Sequence, residues 1–178
     1  MNPTERQRIA RLATALAQRD VLQQAPADRP VLPADIAAFA AGRDGAMADA
    51  VATALSSDLS ARRLYRELLG QKARAHSGLQ ACAQDSAEVV QREGDGFEIR
   101  FRSSRADPHQ RYVTLVMKPS HPLPEGTAVQ LHVLGDDTVL RLDFPPLIDQ
   151  TSQRLFSSDS LELAMLRRDD TEILLVTP

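Results

Sequence analysis

The hydrophobic period of the chain changes about halfway along its 178 residues. In the first part apolar residues recur every three or four positions, as in amphipathic helices, and near residue 96 the period becomes two, as in half-buried strands. The pattern predicts an α+β fold, in which an N-terminal four-helix unit is followed by a small antiparallel β-sandwich or barrel. We place a helical domain at 1–82, a linker at 83–95 and an all-β domain at 96–178.

Local signals set the ends of the predicted helices. A Pro-rich segment at 25–33 separates the first helix from the second, and Asp35 lies in the first turn of the second, where the helix dipole favours a negative charge. Gly42 ends that second helix. The four helices are predicted at about 3–24, 34–41, 46–57 and 60–76.

Six strands are predicted in the second part of the chain, with Pro-rich connections at 118–126 and 145–153. The clearest is "FEIRF", in which Phe97, Ile99 and Phe101 alternate with charged residues. The strands are predicted at 97–101, 111–117, 128–134, 138–144, 160–166 and 171–177.

The charge is divided unevenly between the two parts. Residues 1–82 contain 11 Lys and Arg against 8 Asp and Glu, and residues 83–178 contain 10 against 16, for a formal net charge of −3. The basic excess of the first part is too small for a dedicated nucleic-acid groove. We therefore expect no direct contact with nucleic acid.

The cysteine content and the polar start indicate a compartment. One cysteine, Cys82, excludes an internal disulfide and a cysteine-based zinc cluster. The start "MNPTERQRIARL" has no apolar signal-peptide core, and no run approaches the about 18–20 apolar residues of a membrane span. We expect a cytoplasmic protein that does not contact the membrane.

No constellation for catalysis is visible. The four histidines are scattered, none has metal-ligand spacing, and nucleotide-binding glycine motifs and serine-nucleophile motifs are absent. His132 fits a surface or cross-strand residue better than a ligand. We expect no enzyme, no cofactor and no metal.

Three predicted helical segments follow one another between about residues 34 and 75. The first contains Ile36-Ala37-Ala38-Phe39 and ends at Gly42, and the second contains Val51-Ala52-Thr53-Ala54-Leu55. A tight break at Ser57-Asp58-Leu59 leads into a longer amphipathic helix from Arg62 onward. Over about 34–75 this order resembles the N-terminal domain of bacterial anti-sigma factors that inhibit sigma factors of the extracytoplasmic-function type.

The resemblance does not extend to the metal ligands of that family. Zinc-binding members place His, Cys and Cys around the break, where this chain has Ala54, Asp58 and Ala61. Alanine has no ligand atom, and one carboxylate cannot hold zinc. The resemblance therefore implies a zinc-free member, in which apolar packing between the helices replaces the metal.

The resemblance implies that the chain sequesters a sigma factor through its N-terminal helices. Apolar side chains at helical spacing would enter grooves of the partner, and arginines would meet its acidic patches. The β domain would receive a signal or bind another protein, and a regulatory protease or a sensor protein would release the inhibitor. The implied contact residues are Ile9, Leu12, Leu16, Ile36, Phe39, Arg62, Arg63, Leu64, Tyr65, Arg66, Leu68 and Leu69.

Two alternatives remain open at this point. The chain could be a non-enzymatic adaptor or scaffold of a signalling or defence operon, whose helices mediate assembly. It could also be an enzyme whose site is assembled from distant residues. The main binding partner distinguishes the first alternative from the anti-sigma interpretation.

Overall fold

A computed structural model describes residues 29–43, 45–77 and 91–177. The described helices are α1 (Pro33–Ala40), α2 (Ala48–Ser57), α3 (Leu59–Lys72) and α4 (Leu161–Arg167). The described strands are β1 (Ala75–Ser77), β2 (Gln91–Glu93), β3 (Phe97–Ser103), β4 (Gln110–Met117), β5 (Val129–Leu134), β6 (Val139–Phe144), β7 (Thr151–Ser157) and β8 (Glu172–Val176).

These strands form two four-stranded sheets in which every neighbouring pair is antiparallel. Sheet I has the strand order β1-β8-β5-β6, and sheet II has the order β2-β3-β4-β7. Apolar side chains from both sheets meet in one core, which includes the fully buried Phe97, Leu115, Leu131 and Leu175. The core explains the alternation of apolar and polar residues along β3 and β4, because only one face of sheet II contacts it.

The two central strands of sheet I, β8 and β5, are covered on both faces. All six residues of β5 are buried. Leu131 and Val133 belong to the core between the sheets, whereas Leu134 belongs to a second apolar cluster with α1, α2 and α3. The described part of the chain therefore has three layers, and α1–α3 form a helix layer on the outer face of sheet I.

The start of α1 is set by a bidentate ion pair. The guanidinium of Arg29 donates to both carboxylate oxygens of Asp35 at 2.7 Å, and one of these oxygens also accepts from the Leu32 N–H at 2.9 Å. The hydrogen bonds from Arg29 lower the pKa of the Asp35 carboxyl, whereas partial burial acts against them. The carboxylate thus satisfies a backbone donor that the helix leaves free.

The end of α1 is a Schellman motif at Gly42. The Gly42 N–H donates to the Phe39 carbonyl and the Arg43 N–H to the Ala38 carbonyl, both at 3.1 Å. Gly42 has a φ of 72°, which lies in the left-handed region that glycine adopts without strain. A single residue, Asp58, separates α2 from α3. Asp58 ends α2 and caps α3, because its side chain accepts from the Ser60 N–H at 2.7 Å.

The predicted fold class is wrong about the helices. They do not form an N-terminal four-helix unit, because they are short and the fourth described helix, α4, lies between β7 and β8. The apolar faces of α1–α3 are completed by sheet I, through Leu134, Leu174 and Val176, rather than by another helix. The helix predicted at 3–24 lies outside the described residues.

Two element predictions in the second part are also wrong. The strand predicted at 160–166 is replaced by α4 (Leu161–Arg167), because the Ser160 hydroxyl accepts from the Leu163 N–H at 3.3 Å and good helix formers follow. The connection predicted at 145–153 ends early, since β7 begins at Thr151. In this strand only Ser152 and Phe156 are buried and Arg154 between them is exposed, so it lacks the apolar alternation that marks the other strands.

The predicted division into domains stays a prediction. Most of the proposed linker at 83–95 lies outside the described residues, and its last part contains β2. Ahead of it, β1 joins sheet I by pairing with β8. In the described ranges, none of the helices has the length and hydrophobicity that crossing a membrane requires.

Candidate functional site

Of the six described apolar residues that were predicted to contact a partner, four lie inside the helix layer. Tyr65 and Leu69 are fully buried, and Ile36 and Phe39 are 4% and 8% exposed. All four pack in the cluster that includes residues of sheet I. In this arrangement their contact partners belong to the chain itself.

The other predicted apolar contacts are less buried or lie outside the described residues. Leu64 and Leu68 are half-buried and pack against the edge of the same cluster. Ile9, Leu12 and Leu16 fall in the part of the chain that the structure does not describe. A surface available to a partner must therefore be sought among the polar residues of α3.

The predicted arginines lie on the accessible side of α3. Arg63 and Arg66 are exposed and Arg62 is half-buried. Arg66 forms an ion pair with Glu172 of β8, with 3.0 Å between Nε and Oε2. This pair ties the helix to sheet I at its exposed border, and it leaves Arg62 and Arg63 as cations without an ion pair among the described residues.

A groove of about 210 Å³ runs between α3 and the β5–β6 hairpin. The three arginines form one wall, and the opposite wall is made by Leu134, Gly135, Asp136 and Val139 of the hairpin. Leu59 stands at the start of the groove and is 63% exposed, which is high for a large apolar side chain. We call this feature the α3 groove.

One polar atom in the α3 groove is shielded from solvent without a partner. Nε of Arg62 is buried and makes no hydrogen bond within the described residues. A buried donor of a charged group that lacks an acceptor costs about 1–3 kcal/mol or more. The guanidinium of Arg62 is therefore already partly desolvated in the free chain.

A chain of hydrogen-bonded polar side chains runs from under the helix layer to the exposed Asp143 of β6. The Tyr65 hydroxyl hydrogen-bonds Nδ1 of His132 on β5, and Nε2 of His132 lies 3.0 Å from Oε1 of Gln130. Nε2 of Gln130 then donates to Oδ1 of Asp143 at 2.5 Å. Tyr65 and His132 are both fully buried, and Gln130 is 2% exposed.

The partners determine the protonation of this chain. The Gln130 amide nitrogen donates to a carboxylate, so its oxygen faces His132 and must accept. Nε2 of His132 therefore carries the proton, and Nδ1 accepts from the Tyr65 hydroxyl. Burial lowers the pKa of His132 to about 4, with Asp143 acting weakly in the opposite direction, and burial also raises the pKa of Tyr65. The histidine is neutral, and the chain acts as a polar link between α3 and sheet I.

Sequence reasoning missed the role of His132. The alternation along β5 assigned Gln130 and His132 to a polar face, which is normally the solvated face. The helix layer covers that face, so His132 is not at the surface. The sequence contained one signal for this buried contact. It was a glutamine and a histidine two positions apart in a strand, together with one tyrosine in an amphipathic helix.

The positions that correspond to zinc ligands have structural roles instead. Asp58 caps α3, Ala61 is buried and Ala54 is half-buried. Val51 and Leu55 of α2 pack with Tyr65 and Leu69 of α3 in the layer's core. Within the described ranges, no group of three or more His, Cys, Asp or Glu side chains has an arrangement that could hold a metal ion.

A second buried polar centre joins β2 to the end of α4. Arg92 is 3% exposed and donates to the carbonyls of Arg168 (2.5 Å) and Leu166 (3.3 Å). It also donates to the Thr171 hydroxyl at 2.7 Å and to the Thr171 carbonyl. A cation that collects the last carbonyls of a helix is favoured by the helix dipole. We assign Arg92 a structural role.

Comparisons with known proteins leave the family open. No protein-family model matches the chain, and no curated protein and no solved structure matches it. Function is therefore inferred from the residues, the geometry and the resemblance over 34–75.

Proposed function

We propose that this chain is a cytoplasmic, non-enzymatic regulator that sequesters a sigma factor of the extracytoplasmic-function type, as a zinc-free anti-sigma factor. The observation that carries the proposal is the helix layer. Its three helices occur in the order of the resembling pattern, with Gly42 ending α1 and the break at Asp58 between α2 and α3.

The burial of the layer revises which residues make the contact. Ile36, Phe39, Tyr65 and Leu69 hold α1–α3 together and attach them to sheet I. The partner contact in this arrangement is instead made by the outward side of α3, through Arg62, Arg63, Arg66 and the exposed Leu59. Basic residues at the rim of an apolar interface raise the rate of association and the specificity of binding.

The two sheets fit the role of a signal-input or protein-interaction module. Sheet I is in direct contact with the helix layer, so that a ligand or protein bound to the sheets can alter the availability of α3. A protease acting near 77–95 or in 25–33 is a second means of release, because the sequence of both segments is typical of linkers, which are preferred cleavage sites.

Co-purification tests the proposed function. The tagged full chain is expressed in its native cells, and bound proteins are identified by mass. We expect one sigma factor of the extracytoplasmic-function type in about 1:1 ratio with the chain, as sequestration by a stable interface requires. A different stoichiometric protein would favour the adaptor interpretation, and the absence of any sigma factor would refute the proposal.

A further inference from the structure

We infer that the α3 groove is a docking site for an acidic amphipathic segment of the partner protein, with a carboxylate seated on Arg62 and Arg63 and an apolar side chain beside Leu59. The inference deepens the proposed function, on which it rests, by naming the chemistry that the chain recognises.

The charges in the α3 groove favour an acidic occupant. Its lining contains three arginines and one aspartate, Asp136. Glu172 engages Arg66, so the cations that remain for a ligand are Arg62 and Arg63. Both residues line the α3 groove, and a carboxylate within reach of their guanidinium groups would accept charge-assisted hydrogen bonds, which are about twice as strong as neutral ones.

The shielded Nε of Arg62 adds a second, independent reason. Arginine has donors in a fixed planar fork, and a carboxylate matches that fork in a bidentate geometry. Here one donor of the fork is already removed from solvent without an acceptor among the described residues. Part of the desolvation that usually opposes ion-pair formation has therefore already occurred in the free chain.

The apolar residues of the α3 groove require that the occupant also carries an apolar side chain. Leu134 and Val139 form its hairpin wall, and Leu59 exposes most of its side chain at one end. A partner helix with acidic and apolar residues three or four positions apart would place one of each on the two walls. A purely polar acidic chain would leave Leu59 in water.

A peptide titration tests the docking site directly. The full chain is titrated at low salt with a labelled 14-residue peptide, on the order of four helical turns, that carries Glu and Leu at helical spacing, and with a matched peptide in which Lys replaces Glu. We expect the acidic peptide to bind, to shift the NMR signals of Leu59 and Val139, and to lose affinity with added salt. No preference for the acidic peptide, or shifts confined to another surface, would overturn the inference.

Variants of exposed residues make the test specific. Arg63→Glu and Leu59→Ser should each weaken binding about tenfold, since each removes one of the two contacts. Arg102→Glu, at an exposed arginine of β3 on the opposite sheet, is the matched charge control and should change the affinity by less than about twofold. Equal weakening by Arg63→Glu and Arg102→Glu would show an unspecific charge effect and overturn the docking site.

The outcomes separate this inference from the proposed function. If a sigma factor co-purifies equally with the wild-type chain and with Arg63→Glu, the docking site is wrong and the function stands. If the acidic peptide binds in the α3 groove but no sigma factor co-purifies, the proposed function is wrong and the docking site stands.

Discussion

The hydroxyl of Tyr65 on α3 donates a hydrogen bond to Nδ1 of His132 on β5, and both side chains are fully buried. The contact connects the helix layer to the outer face of sheet I at the centre of their interface. Around it, the guanidinium of Arg141 on β6 lies 4.6 Å from the centre of the Phe39 ring. The attachment of the helices thus combines apolar packing with specific polar contacts, which fix the position of α3 on the sheet.

Tyr65→Phe removes the donor and leaves Nδ1 of His132 buried without a partner. We expect the free energy of unfolding to fall by about 1–3 kcal/mol, which is the cost of an unsatisfied buried acceptor. Urea denaturation of the full chain measures the change. Tyr112→Phe, on the outer face of sheet II, is the matched control and should change stability by less than about 0.5 kcal/mol. Equal effects of the two variants would contradict the role of the Tyr65 hydroxyl.

Stability should fall as the pH is lowered from 6.5 toward 4. Burial lowers the pKa of His132 from 6.5 to about 4, so the unfolded chain binds a proton in this range that the folded chain does not. By linkage, this group alone should remove about 2 kcal/mol of the free energy of unfolding between pH 7 and pH 5.

His132→Gln provides the control for that pH dependence. The variant keeps the other histidines, so its urea midpoint should change less than that of the wild-type chain over the same pH range. The difference between the two profiles isolates His132, since Asp35 and the other carboxyls titrate in both proteins. Parallel profiles would show that His132 does not carry the pH dependence.

Arg92→Ala should be among the most destabilising single changes on sheet II. It leaves the carbonyls of Leu166, Arg168 and Thr171 without their donor in a buried environment. We expect a loss of at least about 3 kcal/mol, measured by thermal unfolding. Arg92→Lys keeps the charge but not the planar fork and should lose a smaller part. Arg102→Ala, on the neighbouring strand and exposed, should be near neutral, and a similarly small effect at Arg92 would exclude the anchoring role.

Two glycines of the helix layer should respond to alanine in opposite directions. Gly42 has a positive φ in the Schellman motif, so Gly42→Ala should destabilise the chain by about 1 kcal/mol. Gly70 lies within α3, and a Cβ there would meet nothing within 4 Å, so Gly70→Ala should stabilise by about 0.5–1 kcal/mol. Calorimetry of both variants measures the shifts, and changes of the same sign would contradict these backbone assignments.

Periodicity predicted local structure better than it predicted the layers. The strands expected at 97–101, 111–117, 128–134 and 138–144 are present, because one apolar face of each contacts the core. An apolar stripe on a helix indicates that something covers it but not what does so. The stripe of Ile36 and Phe39 therefore predicted a helix bundle, whereas sheet I provides the cover.

The candidate site could be predicted only in part for the same reason. The resemblance implied Arg62, Arg63 and Arg66 as contact residues, and all three line the α3 groove. The opposite wall of the α3 groove comes from Leu134 and Val139, about 70 residues further along the chain, and no local pattern connects them to α3. The hydrogen-bonded chain from the buried Tyr65 to the exposed Asp143 depends on the same long-range docking.

Transcription in vitro tests the central claim most directly. RNA polymerase is loaded with the host's sigma factors of the extracytoplasmic-function type, one at a time, and the full chain is added in increasing amounts. Sequestration predicts that about one equivalent of the chain abolishes transcription from the promoters of one such sigma factor. The docking site predicts in addition that Arg63→Glu inhibits less than the wild-type chain at the same concentration, whereas Arg102→Glu inhibits equally. Unchanged transcription with every one of these sigma factors would contradict the account.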